Sequence, residues 1–156
     1  MNVSLLLLHL LSVSVLTAGT ALGATSSVMA RKTTKTKELA VIGQFARRVP
    51  VMTGAGSFLA MITGTLLVWA MGFGFGTPWV IAAYVTWLLA VILSGAVLGR
   101  KMGAAGAHLK KAIETNAEEA PEFQRVFNDP TFKMTQRILE VLTVVFFLLM
   151  IYKPGT

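Results

Sequence analysis

Two residues in this chain have side chains suited to holding haem iron or a metal, or to carrying a proton near neutral pH: His9 and His108. His9 sits in the run Leu-Leu-His-Leu-Leu at 7–11, with no charged residue anywhere in the surrounding apolar segment. An ionisable group in such a segment is a functional-site candidate. The competing role is structural, an imidazole near the headgroups bonded to a neighbouring helix. His108 follows Gly103 and Gly106 among basic residues and is expected to be a solvated loop histidine. Trp79, Tyr152 and Lys153 are expected at the same membrane level as His9. The cluster His9, Trp79, Tyr152 and Lys153 is therefore the candidate cofactor-binding site, with His9 as the metal ligand. Lys153 would pair an anionic group such as a propionate or a lipid phosphate. Haem b is the cofactor such a cluster would take, although none is the simpler expectation.

Other chemistries find little support. The eight methionines occur singly, with no pair at three- or four-residue spacing, and read as packing filler rather than a soft-metal path. Glu140 has Gln136 and Arg137 one turn away to satisfy it. There is no cysteine, which excludes disulfides, thiolate-bound metals and iron–sulfur clusters. No nucleotide-binding loop, hydrolase elbow or metalloprotease helix occurs, so no catalytic residue is assigned.

The elements that position these residues follow from charge and hydropathy. Hydrophobic residues make up 54% of the 156 and charged residues 13%, against roughly 25% charged in a soluble domain. A membrane span needs about 20 apolar residues, and four segments qualify, at about 3–30, 51–72, 79–98 and 131–152. The fold class is therefore all-α, a single polytopic membrane domain built as a four-helix bundle. Residues 3–30 read as a retained anchor rather than a cleaved signal, because a basic leading region is missing and the apolar run is too long. Cleavage within Ala18–Ala24 is the alternative. Gly72–Trp79 is a short uncharged turn, which makes the second and third spans antiparallel neighbours. Ala120-Pro121 breaks the segment 100–128 into two helices. Asp129-Pro130 carries an N-cap followed by proline at the first helical position, opening the last helix.

Thirteen of the fourteen lysines and arginines lie in residues 31–50 and 100–137, the fourteenth being Lys153. By the positive-inside rule the loops 31–50 and 99–130 face the cytoplasm and both termini lie outside, in a bacterial plasma membrane. That sorting accounts for the net charge of +7 without nucleic acid. Leu39, Ile42, Phe45 and Val49 recur at helical spacing, which predicts a short interfacial helix with its apolar side among the headgroups. Lys35, Lys37, Arg47 and Arg48 would then grip anionic lipid.

Helices associate in lipid through close packing, which small residues permit. Three spans carry such rows: Gly19 and Gly23; Gly56, Ala60 and Gly64; and Gly95, Gly99 and Gly103. They are expected to pack the bundle, with any row left facing lipid marking a partner. The run at 7–11 followed by Gly19, Thr63-Gly64, Pro78-Trp79 and the terminal Met150-Ile151-Tyr152-Lys153-Pro154-Gly155 together resemble the bacterial family catalogued as domain of unknown function 2269. The resemblance spans nearly the whole chain and implies a four-span integral membrane protein. A histidine in the first helix is also distantly similar to the copper-resistance protein D and HemJ-like group, which implies haem or copper handling at His9. The leading expectation is a non-catalytic membrane subunit or scaffold, bound to lipid and to other membrane subunits or copies of itself. The alternatives are a haem- or metal-handling, redox-linked protein using His9, and a small oligomeric transporter.

Overall fold

The computed structural model describes residues 3–152, so Lys153 lies outside the described residues. Seven helices follow one another: α1 Val3–Ala30, α2 Thr36–Ala46, α3 Val49–Ala70, α4 Pro78–Leu93, α5 Arg100–Glu114, α6 Pro121–Asn128 and α7 Pro130–Tyr152. Four runs are long and apolar enough to cross a membrane: Val3–Ala30, Thr36–Ala70, Pro78–Glu114 and Pro130–Tyr152. The second and third are longer than the spans at 51–72 and 79–98, because flanking helices continue out of them. Between α2 and α3 the chain turns at Arg47 and Arg48, both in right-handed helical conformation. Pro50 has no N–H to return to Ala46, so the ladder is broken there. Between α4 and α5 the helix widens into one π-helical stretch at Ser94–Gly99.

The spans pack as two pairs, α1 with α3 and α4 with α7. In the first pair Gly23 faces Val49, Gly19 faces Met52 and Thr53, Gly56 faces Leu16, and His9 meets Thr63 and Gly64. The order is opposite on the two helices, so they run antiparallel. The steps from 23 to 19, 16 and 9 match those from 49 to 53, 56 and 63. Intervals of four, three and seven are a heptad register, the spacing of a left-handed crossing. The buried residues of α1 are His9, Ser12, Gly19, Ser26, Ser27 and Ala30, whereas Leu7, Leu8, Leu10 and Leu11 are exposed. The buried positions are thus small or polar, and these four leucines lie on the outside of the pair. At Gly56 a Cβ would stand 2.6 Å from the Leu16 backbone nitrogen and 2.9 Å from its Cα, so no other residue permits this approach.

α3 and α4, although joined by a short turn, meet through long side chains rather than close backbones. Tyr84 Oη donates to Thr65 Oγ1 at 2.8 Å, the threonine's own hydrogen being given to the Met61 carbonyl. Trp87 Nε1 donates to Ser57 Oγ at 2.8 Å, and its ring meets Phe58 edge-on.

At the opposite end from the α3–α4 turn sits a polar cap with a protein-type core. Leu39, Ile42, Ala105, Leu109, Phe123, Phe127 and Phe132 are buried together beneath Ala30. This corrects the interfacial reading of α2: Leu39 and Ile42 pack into protein, Val49 is partly buried, and of the expected apolar side Phe45 alone is exposed. A two-residue bridge ties the linkers flanking the cap, with Thr36 N–H donating to Glu118 O and Ala120 N–H to Thr34 O. Arg31 locks α1 to the cap, donating through Nε to Phe127 O and through Nη2 to Gln136 Oε1. Asp129 caps α7 by accepting from Phe132 N–H and pairs with Lys101 Nζ at 2.6 Å.

Two expectations follow. Gly56→Ala should lower unfolding stability in detergent by about 1–3 kcal/mol through backbone overpacking, while Gly54→Ala, which meets nothing within 4 Å, should raise it by about 0.5–1 kcal/mol; equal effects would refute the tight seam. The Lys101 ammonium and the Phe132 N–H hold the Asp129 carboxyl below its ordinary range. A carboxyl with a depressed folded-state pKa stabilises the fold above its unfolded pKa of about 3.9 and loses that contribution as pH falls through the lower folded value. Melting curves between neutral pH and pH ~3 should therefore show an acid loss that shrinks in Asp129→Asn.

Candidate functional site

His9 lies on the buried face of α1, 6% exposed, with its ring against α3. Gly64 makes the space: a Cβ there would stand 3.1 Å from His9 Cε1 and 3.6 Å from Nδ1. Thr63 Oγ1 lies 2.9 Å from His9 Nδ1. The threonine hydrogen is already committed, since Oγ1 donates to Leu59 O at 2.6 Å. With its own hydrogen given to Leu59 O, Thr63 Oγ1 is placed to accept from His9 Nδ1. A polar partner at one ring nitrogen is the usual arrangement of a ligating histidine. It also serves as an interhelical hydrogen bond, worth about 0.6–2 kcal/mol in lipid.

His9 opens onto a cavity of about 340 Å³ between the two helix pairs, near the α3–α4 turn. All four spans contribute: Leu6 and Leu10 from α1, Ala60, Met61, Gly64 and Thr65 from α3, Val80 and Tyr84 from α4, and Phe146 and Met150 from α7. Trp79 completes the wall beside Phe73, whose ring it meets edge-on at 5.6 Å. Trp79 is 7% exposed, and its Nε1–H has no hydrogen-bond partner. A buried unpaired donor costs about 1–3 kcal/mol. Trp69, on the other flank of the turn, is exposed, so the two tryptophans are not equivalent interface anchors.

Of the expected cluster, the structure brings together His9 and Trp79. Tyr152 is exposed at the end of α7 and does not line the cavity; Lys153 is outside the described residues. Sequence reasoning did not pick out Tyr84 or the role of Thr63, although a lone histidine in one apolar span and a threonine beside glycine in another were the available signal. It also treated the methionines as isolated, yet Met61, Met71 and Met150 share this cavity. No lysine or arginine lines the cavity among the described residues. A porphyrin's two propionates would go unpaired there, so the described residues do not fit haem b. His108 lies exposed on α5 in the cap, and no group of three or more His, Cys, Asp or Glu side chains able to hold a metal ion occurs among the described residues.

The glycine rows divide into two kinds. Gly19, Gly23, Gly56, Ala60 and Gly64 lie on the α1–α3 seam, where a Cβ at each of the four glycines would meet α1 or α3 atoms. Gly95 and Gly103 meet nothing within 4 Å, and a Cβ at Gly99 would touch only Ser94 O of its own helix. Lys35, Lys37, Arg47 and Arg48 are all exposed, Lys35 being paired with Glu38 at 3.5 Å.

Residues 3–154 match a family model described as "Predicted integral membrane protein (DUF2269)". Neither a curated protein nor a solved structure matches the chain. With four spans of membrane length and a match covering almost every residue, the chain belongs to this family of integral membrane proteins.

Proposed function

We propose that the chain is a non-catalytic membrane subunit that associates with other transmembrane helices through the bare glycine face of the stretch Ser94–Gly99 and the start of α5. The observation that carries this reading is the glycine row at 95, 99 and 103, which no other helix of the chain covers. Of the most apolar 18 residues in each span, 28% are buried in the run containing α3, but 11% in that containing α4 and 6% in α7. The spans on the α4–α7 side are thus the less covered ones, and the glycines of that side would let a partner backbone approach closely. The π-helical stretch at Ser94–Gly99 adds to the case, since such stretches concentrate at functional positions. Following the charge bias, we place the polar cap in the cytoplasm of a bacterial cell, with Lys35, Lys37, Arg47 and Arg48 against anionic headgroups.

Purification in a gentle detergent should yield an assembly larger than one protomer. Gly95→Leu and Gly103→Leu should release the single protomer without lowering its melting temperature, because a Cβ at either position meets nothing within 4 Å. A single protomer from the wild type would overturn the proposal. The chain has no cysteine, so oxidative cross-linking of Gly95→Cys in native membranes separates self-association from association with another protein. The same preparation should be colourless; a Soret band lost in His9→Ala would instead establish the haem-handling alternative.

A further inference from the structure

The last span, α7, carries two cations at its entry that no group of the described chain neutralises. Counting about 20 residues back from Tyr152, the length of one span, reaches Lys133, and Arg137 lies one turn further in. The ion pairs among the described residues are Lys35–Glu38, Lys101–Asp129, Lys110–Glu114 and Arg125–Glu122, so neither cation is in one. The acids on either side are engaged elsewhere: Asp129 by Lys101 and the Phe132 N–H, Glu140 by Gln136. Four residues apart on a helix, Lys133 and Arg137 are neighbours and repel each other. An unpaired charge within a span calls for a partner.

The same face of α7 supplies the rest of a site. Lys133 and Arg137 line an open groove of about 420 Å³, and its other walls include Met134, Ile138, Val141 and Leu142. Met134 is 65% and Val141 61% exposed, so the chain leaves this face uncovered. Charge lies at the end where α7 begins, and apolar side chains continue from there towards Tyr152. A free anion would meet the cations and leave the apolar wall unused. A lipid phosphate with its acyl chain matches both, in the order in which α7 presents them. Acyl chains are common to all phospholipids, so selection falls on the headgroup. A zwitterionic headgroup brings a cation to a place that already holds two, whereas an anionic one brings none.

We propose that this groove holds one anionic glycerophospholipid, its phosphate between Lys133 and Arg137 and an acyl chain along Ile138, Val141 and Leu142. The site is independent of which leaflet the cap faces. It also stands apart from the association proposed through Gly95, Gly99 and Gly103, and survives its failure.

The test is native mass spectrometry of the detergent-purified protein titrated with phosphatidylglycerol, phosphatidylcholine and diacylglycerol of one acyl composition. The expected order of affinity is phosphatidylglycerol, then phosphatidylcholine, then diacylglycerol. Lys133→Gln combined with Arg137→Gln should weaken phosphatidylglycerol about tenfold while leaving diacylglycerol unchanged. Lys110→Gln combined with Lys111→Gln removes the same charge near the end of α5 and should leave all three affinities as they were. Equal affinity for phosphatidylglycerol and phosphatidylcholine overturns the proposal, as does an equal loss in the α5 variant. Full competition by soluble glycerol phosphate also overturns it, since the site would then be one for a free anion. So does a folded Lys133→Gln, Arg137→Gln protein with unchanged affinity; if that variant does not fold, the order among the three lipids and the α5 variant decide.

Discussion

The approach of two backbones at Leu16 and Gly56 is the constraint on which the arrangement rests. Lipid gives apolar helices no reason to associate, because the tails solvate leucine as well as a neighbouring helix does. Association must come from contact at close range and from polar groups that find partners. Here the two coincide. Once Gly56 sits on Leu16, the heptad register places His9 seven residues away opposite Thr63, and Gly64 provides the room its ring needs. The pair α1–α3 is thus the closely packed half. The second half, α4–α7, reaches it through Tyr84 and Trp87, and the space left between the halves is the cavity.

The molecule obeys two packing regimes within one chain. In the spans the interior of α1 is glycine and serine and the exterior is leucine. In the cap the order is reversed, with Leu39 and three phenylalanines inside and lysines outside, as expected where water surrounds the fold. Arg31 stands at the junction. Its charge belongs to the basic sorting along the chain, yet its guanidinium is engaged by Phe127 O and Gln136. One side chain can thus orient a helix and hold it in place.

Much of this was legible in the residues, for definable reasons. Span number followed from length and hydropathy, which depend only on local composition. The Asp129-Pro130 start of α7 and the break at Pro121 followed from backbone chemistry that acts at the residue itself. The error at Leu39 and Ile42 has an equally definite cause: an apolar stripe has the same spacing whether it meets headgroups or another helix. Trp69 and Trp79 carry the same side chain on the two flanks of one turn, and only the tertiary fold decides which is buried. The pairing of His9 with Thr63 spans 54 positions and depends on a register that the glycine rows hinted at with four-residue spacing and the contacts realise as heptads. The π-helical stretch at Ser94–Gly99 left no compositional mark at all.

The unbroken run from Pro78 to Glu114 counts 37 residues, about 55 Å at 1.5 Å each. A bilayer core is about 30 Å thick. This single rod carries the cavity wall at its first turn, where Trp79 lies, and reaches the cap core through Ala105 and Leu109. Its α-helical ladder is interrupted once, by the widened stretch at Ser94–Gly99 near its middle. It thereby joins Trp79 at one end to Lys101, the partner of Asp129, towards the other within one continuous helical run.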